Sequence, residues 1–177
     1  MITVDFVRLM AAYTAWQNNS IYTAASSLSD SARKENRGAF FESIHATLNH
    51  LLWGDQVWLH RLADAPQALA KSINESKDQY ATWEDLSKAR RLTDNAISSW
   101  ADKMEPEQLE GELSWFSAAM NEHIYRPRQA LILQLFNHGT HHRGQVHAML
   151  TAAGASPDDT DLPFMPASYY QWPTPAQ

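Results

Sequence analysis

Leu131-Ile-Leu-Gln-Leu135-Phe-Asn-His138-Gly-Thr-His141-His142-Arg-Gly-Gln145-Val146 is the stretch that sets the fold class. Leu131, Leu135, His138, His142, Val146 and Leu150 recur at three- and four-residue steps, the period of one face of an α-helix. Pro127 suits the first turn of such a helix, where its missing N–H would find no partner anyway. Gly154 supplies a C-terminal cap. Positions i and i+4 on a helix stand about 40° apart around the axis and one turn apart along it. His138 and His142 therefore project together, and imidazoles so placed can converge on one ion about 2.0–2.1 Å away. His141 lies beside that stripe as the alternative i+3 partner of His138.

Three further segments carry helical periodicity. The first runs from about Val4 to Leu28 through Phe6, Leu9, Met10, Tyr13, Trp16, Ile21 and Ala24. The polar run Arg33–Gly38 reads as a connection. A second helix spans about Ala39 to Ala63, ended by Ala65-Pro66. Gln67–Gln79 lacks a period and reads as a long connection. Thr82 with Asp85 resembles a capping arrangement for a third helix over Trp83–Lys103. Gln108–Arg126 predicts a loose β-hairpin or an extended crossover loop. The tail, Ala155–Gln177, is rich in proline and aromatics and should drape over the rest. The class expected is all-α: one domain, residues 1–177, built as a four-helix bundle with long crossover connections.

Composition narrows the function classes. Of 177 residues 44% are hydrophobic and 19% charged, which is the balance of a globular chain. A net charge of -6 argues against a nucleic-acid binder. No apolar run is long enough to span a membrane. Asp5 and Arg8 interrupt the N-terminal apolar residues, so no signal peptide is expected and the cytoplasm is the expected compartment. There is no cysteine, which removes disulfides, thiolate nucleophiles and sulfur metal ligands together. Five of eight histidines fall within Glu122–Met149, as a metal site would produce.

A histidine pair alone holds a metal poorly, and a third ligand should come from a helix packed alongside. His50 is the best candidate, because it interrupts the apolar run Leu48, Leu51, Leu52 mid-helix. Gly54, one turn on, would leave open space over an ion. Such a histidine pair is also commonly just two polar residues on a wet face, and a buried histidine is often satisfied by a hydrogen-bond partner. Spacing leaves both readings open, and three imidazoles would not by themselves choose the metal. Gln145 is placed to hydrogen-bond a ligand or bound water. Arg143, about 140° off the stripe, suits a salt bridge or a cap on the rim. Asn49 and Asn137 suit either imidazole orientation or a surface or helix-packing role, and Arg61 the mouth of a pocket. His45, His60, His123 and His147 read as structural. Trp16, Trp53, Trp58 and Trp100 read as core or dimer contacts.

Tyr13-Thr-Ala-Trp16-Gln-Asn18, Asn49-His50-Leu-Leu-Trp-Gly-Asp55 and His138-Gly-Thr-His-His-Arg143-Gly144-Gln145 together resemble the DinB family of metal-binding bundles. The likeness extends to Leu150–Gly154 and Asp158–Leu162, in order along nearly the whole chain. The resemblance implies a divalent transition metal (zinc, nickel, iron or manganese) held by one histidine of the second helix and two of the fourth. Those positions are His50, His138 and His142 here. It further implies a homodimer. Related members include transferases and isomerases that use low-molecular-weight thiols such as bacillithiol or mycothiol, while many have no assigned reaction. The expected function is a metal-dependent enzyme, such as a thiol-dependent S-transferase or isomerase acting on a small electrophile. The alternative is a non-catalytic metal-binding or stress-response dimeric module, or a helical dimer with vacant histidines.

Overall fold

The computed structural model describes residues 2–117 and 120–172. It is mostly helical, with a small two-stranded antiparallel sheet. Helix α1 (Val4–Ser26) starts at Thr3, whose side chain accepts from the Phe6 N–H, the usual way an exposed first-turn donor is satisfied. A one-turn helix α2 (Asp30–Lys34) follows, where a plain polar connection was expected. Ser29 caps it, Lys34 pairs with Asp30 at 2.8 Å, and Arg33 tucks inward to donate to Ala25 O and Leu28 O. The Arg33 guanidinium lies over the Trp83 ring at 4.6 Å, which anchors this turn to the next long helix.

Helix α3 (Ile44–Ala63) begins five residues later than its apolar pattern suggests, since that pattern starts at Ala39. Ala39 and Glu42 instead bridge across a tight turn with Glu42 at φ 65°, and Ser43 caps the helix by accepting from Ala46 N–H. The long connection after α3 also holds one turn, α4 (Ile73–Ser76), capped by Ser72. Helix α5 (Trp83–Asp102) matches its expected span, with Thr82 accepting from the Asp85 N–H at 3.1 Å. Strands β1 (Glu112–Ser117) and β2 (Glu122–Pro127) form the hairpin, with Trp115 opposite Ile124.

Helix α6 (Arg128–Ala152) follows directly, with Pro127 just outside its first turn as the N-cap residue. Its far end closes as a Schellman motif: Ala155 N–H bonds Leu150 O and Gly154 N–H bonds Thr151 O, both at 3.0 Å, with Gly154 at φ 80°. The tail then runs back along α1. Asp158 N–H donates to Ser20, Gln17 donates to Asp159 O, and Tyr13 donates to Thr160 O. Tyr13, Gln17 and Ser20 lie on one face of α1, so the tail drapes as its composition suggests.

Among the four long helices, α3 packs on α6 and α5, and α1 packs on α6 and α5. Two apolar clusters fill the interior. One gathers Ile21, Ile44, Leu48, Leu51, Leu86, Val146 and Leu150; the other gathers Val7, Leu59, Ile97, Leu131, Ile132 and Phe136. Between these clusters every long helix buries polar side chains: Gln17 and Asn18 on α1, His50 and Asp55 on α3, Arg90 and Thr93 on α5, His142 and Arg143 on α6.

Arg90 is the hub of this layer. It is 2% exposed and reaches Asp55 at 2.6 Å and Asp94 at 2.9 Å, while Asn18 donates to Asp94 at 2.7 Å. Removing one partner of a buried charge network strands the others in a medium that cannot solvate them. Arg90→Met should therefore lower unfolding free energy by about 3–5 kcal/mol, read as a shift of the urea midpoint at unchanged slope. A loss below about 1 kcal/mol would show that Asp55 and Asp94 do not depend on it.

Candidate metal centre

His50 of α3 and His138 and His142 of α6 come together in the polar layer. Their nearest ring nitrogens all lie within 4.8 Å of one another, and the ring centroids are 4.5–5.2 Å apart. The i and i+4 spacing on α6 brings two of the rings to one side, and the α3–α6 packing brings the third. His50 and His142 are buried and His138 is half-buried.

Hydrogen bonding decides which nitrogen each ring presents. The Ser76 hydroxyl donates to Ile73 O at 2.6 Å, so its oxygen is left to accept from His50 Nδ1–H at 2.8 Å. His50 Nε2 is then a bare lone pair. His142 Nδ1–H donates to Gln145 Oε1 at 2.8 Å, which frees its Nε2 in the same way. His138 Nδ1 is buried without a hydrogen-bond partner, so in the metal-free chain its proton sits on Nε2 and is donated to the His50 Nε2 lone pair; a bound ion would take the place of that proton, which would move to Nδ1. His50 Nε2 and His138 Nε2 stand 3.2 Å apart. Two imidazole nitrogens on one tetrahedral ion at about 2.0–2.1 Å stand roughly 3.3–3.4 Å apart, close to that separation.

Electrostatics favour the neutral, ligating form. Burial, and then the neighbouring imidazoles, push His50 down to about 3. The same causes push His142 down to about 4, against the pull of its hydrogen bond to Gln145. His138 is lowered mainly by burial, opposed by Asp55. Three neutral nitrogen donors, with no carboxylate among them, suit a divalent transition ion and are a poor match for calcium or magnesium, which want oxygen. The triad could hold such an ion.

Several neighbours play roles other than those expected. Gly54 leaves no open space over the site. A Cβ there would stand 2.3 Å from His138 Cε1, so the missing side chain is what admits the His138 ring between the helices. Gln145 orients His142 instead of reaching a ligand. Arg61 lines a surface cavity with Trp53, Val57 and His60, and its guanidinium lies over Trp58 at 4.8 Å and Trp115 at 5.0 Å, clamping the hairpin to α3. Asn49 serves packing, accepting from Tyr80 N–H and donating to Tyr80 O, and Asn137 is exposed. His141 is exposed and only packs on the His142 ring, at 4.8 Å. Arg143 is not on the rim, being 5% exposed, and among the described residues it has no ion-pair partner.

His45 bonds Tyr80 O, His60 bonds Ala65 O, and His123 packs on Phe116, so these three are structural as read. Trp16 is buried in the interior, and Trp58 and Trp100 pack against the lower cluster.

Three contributors escaped the pattern. Phe41 stacks on His50 with centroids 4.0 Å apart, and Trp53 flanks the same ring at 5.5 Å. Ser76, fully buried, orients His50 from α4. The signal for α4 was present, since Ser72-Ile-Asn-Glu75 has the capping-box spacing. Nothing one-dimensional says that this turn lands under His50.

Comparison with known proteins agrees with the layout. The sequence pattern of the DinB family matches residues 1–173. The protein called "Protein DinB" from Bacillus subtilis (strain 168) is 29% identical over 167 residues, covering 89% of this chain and 91% of that relative. No solved structure matches. A match over nearly the whole length, with the three histidines gathered in space, settles the family question: this chain belongs to the DinB family.

Proposed function

We propose that this chain is a metal-dependent enzyme holding one divalent transition ion on the Nε2 atoms of His50, His138 and His142. The carrying observation is the paired second contact: Ser76 fixes His50 and Gln145 fixes His142 so that both lone pairs face the same point. Outer hydrogen bonds of this kind set tautomer and ring orientation at metal sites. An ion bound by three protein ligands keeps positions for exogenous groups and supplies Lewis acidity and a lowered pKa to a water or thiol.

The chain's own residues do the rest. Phe41 and Trp53 wall the site with apolar rings, and the flanking clusters keep the imidazoles desolvated and neutral. With no cysteine in the chain, any sulfur nucleophile has to arrive as a low-molecular-weight cosubstrate. The reaction class we favour is thiol-dependent S-transfer to, or isomerisation of, a small electrophile. We further read the four long helices as one four-helix bundle domain that works as a cytoplasmic homodimer.

Elemental analysis of untagged protein prepared without chelators should give near-stoichiometric metal in the parent and a large loss in His138→Ala. Equal content in both would remove His138 from the site. Gly54→Ala keeps every ligand and favours the helix, yet its methyl would occupy the space of the His138 ring. It should fold and still lose metal affinity by about tenfold or more, as changes in a ligand's supporting shell do. Parent-like affinity would mean the ring can move without consequence.

The pH dependence of the metal-free protein follows from the lowered imidazoles. Unfolded histidines protonate near about 6.5, whereas His50 and His142 resist until about 3 and 4. Between those limits the unfolded chain binds more protons, so stability falls as pH drops from about 6.5 towards 4. The melting temperature of chelator-treated protein should decline across that window, and less steeply in His142→Ala. A flat profile would show that the rings are not desolvated.

A further inference from the structure

Arg143 sits in the polar layer without the partner its burial demands. Its side chain is 5% exposed, and among the described residues no carboxylate oxygen lies within 4.0 Å of its guanidinium. The interior carboxylates are committed elsewhere, since Asp55 and Asp94 both bond Arg90. Arg143 donates one long hydrogen bond, 3.3 Å to Thr140 Oγ1, and its Nη1 is buried with no partner. The Tyr13 ring, 5.8 Å away, is at the outer edge of cation–π range and carries no charge. The side chain is nevertheless given room. A Cβ on Gly139 would stand 2.8 Å from Nη1, so that glycine makes space for the guanidinium to fold back along α6.

The Arg143 side chain lines a cavity of about 320 Å3 between α1, α6 and the tail. Small-molecule pockets start at roughly this size. Its floor is apolar, formed by Ile21, Ala148 and the Tyr13 ring; Thr140 and His147 add donors beside Arg143. The hydroxyl of Tyr13 donates to Thr160 O, and the amide of Gln17 donates one of its two N–H groups to Asp159 O. Among the described residues no acidic side chain lines the cavity, and the carboxylates of Asp158, Asp159 and Asp161 belong to exposed residues. On α6, Thr140, Arg143 and His147 lie roughly 140–200° around the axis from His138, so this cavity is on the side of the helix away from the triad.

We propose that this cavity binds a small organic anion, a carboxylate or a phosphate monoester, with Arg143 holding its charge and the α1 side chains its apolar body. A buried unpaired cation is unfavourable until an anion joins it, and a planar guanidinium accepts either oxyanion through paired N–H donors. From the tail, Thr160 lines the cavity, held to α1 by the Tyr13 hydroxyl. The site is independent of the metal reading.

Isothermal titration of the full chain with benzoate and with phenyl phosphate tests this, the two probes sharing one ring and differing in headgroup. Saturable binding of either is expected, and the tighter one names the headgroup. Arg143→Met should weaken it by about tenfold or more, the worth of a charge-assisted contact. Gly144→Leu leaves Arg143 intact. A Cβ at Gly144 meets nothing within 4 Å, so the longer side chain enters the cavity from a helix it does not disturb; it should abolish binding while the protein stays folded. His138→Ala should bind as the parent does. The proposal is overturned if neither probe binds, if binding survives both Arg143→Met and Gly144→Leu, or if it disappears in His138→Ala, which would assign the anion to the triad.

Discussion

Arg90 reaching both Asp55 and Asp94 is the contact on which the rest of the interior depends. Charges are rarely placed at the middle of packed helices because desolvation is costly there. This chain places polar side chains at that level on all four long helices and puts an apolar cluster on either side. The clusters supply the hydrophobic drive for packing. The layer between them supplies a constraint that apolar contacts lack: a helix that slides by one turn breaks its charged contacts outright. Register across α1, α3 and α5 is fixed by those partners, and the packing of α6 on α3 then brings a histidine of α3 opposite two of α6.

The same layer explains why the imidazoles are neutral. Buried between two apolar clusters, His50 and His142 meet a medium that disfavours charge, and each ring raises the cost of protonating its neighbour. Outside the triad, Ser76 and Gln145 accept the Nδ1 protons, so the inward nitrogens are oriented before anything binds. Fixing a ligand set in advance removes ordering cost from binding. Metal affinity and fold stability thereby pull in opposite directions in the metal-free chain. Whatever keeps the rings desolvated also makes the unfolded chain the better proton acceptor below about pH 6.5.

Much of this was legible in the sequence. The periodicity of α1, α5 and α6, the Thr82 cap and the Gly154 stop were all correctly placed, because capping and 3.6-residue spacing act locally. The triad was legible in outline, since a histidine at position 50 inside an apolar run is informative by its misplacement. The start of α3 was not. Phe40 and Ala39 continue the apolar pattern, but the Ser43 cap and the left-handed Glu42 end the helix there. Ser76, Phe41 and the true role of Gly54 depend on which segments meet across α3 and α6. That information lies in long-range packing, and no local pattern carries it.

Helix α6 shows why its own sequence was the hardest to read beyond the histidines. It packs against α3 on one side and α1 on the other, so it has two inward faces and only a narrow outward one. A helix in that position cannot show a simple apolar stripe. Polar residues spread around it look like solvent contacts until burial is known. Arg143 illustrates the error: its angle from the histidine stripe argues for the rim, yet the second inward face receives it. The two glycines that matter in the layer follow from the same crowding. Gly54 yields its side-chain volume to His138 and Gly139 yields its own to Arg143, each opening just enough space for a large polar group where two helices approach. A bulky polar residue is buried here where a neighbouring position is kept small: for His138 that position is Gly54 across on α3, and for Arg143 it is Gly139, one turn back on α6 itself.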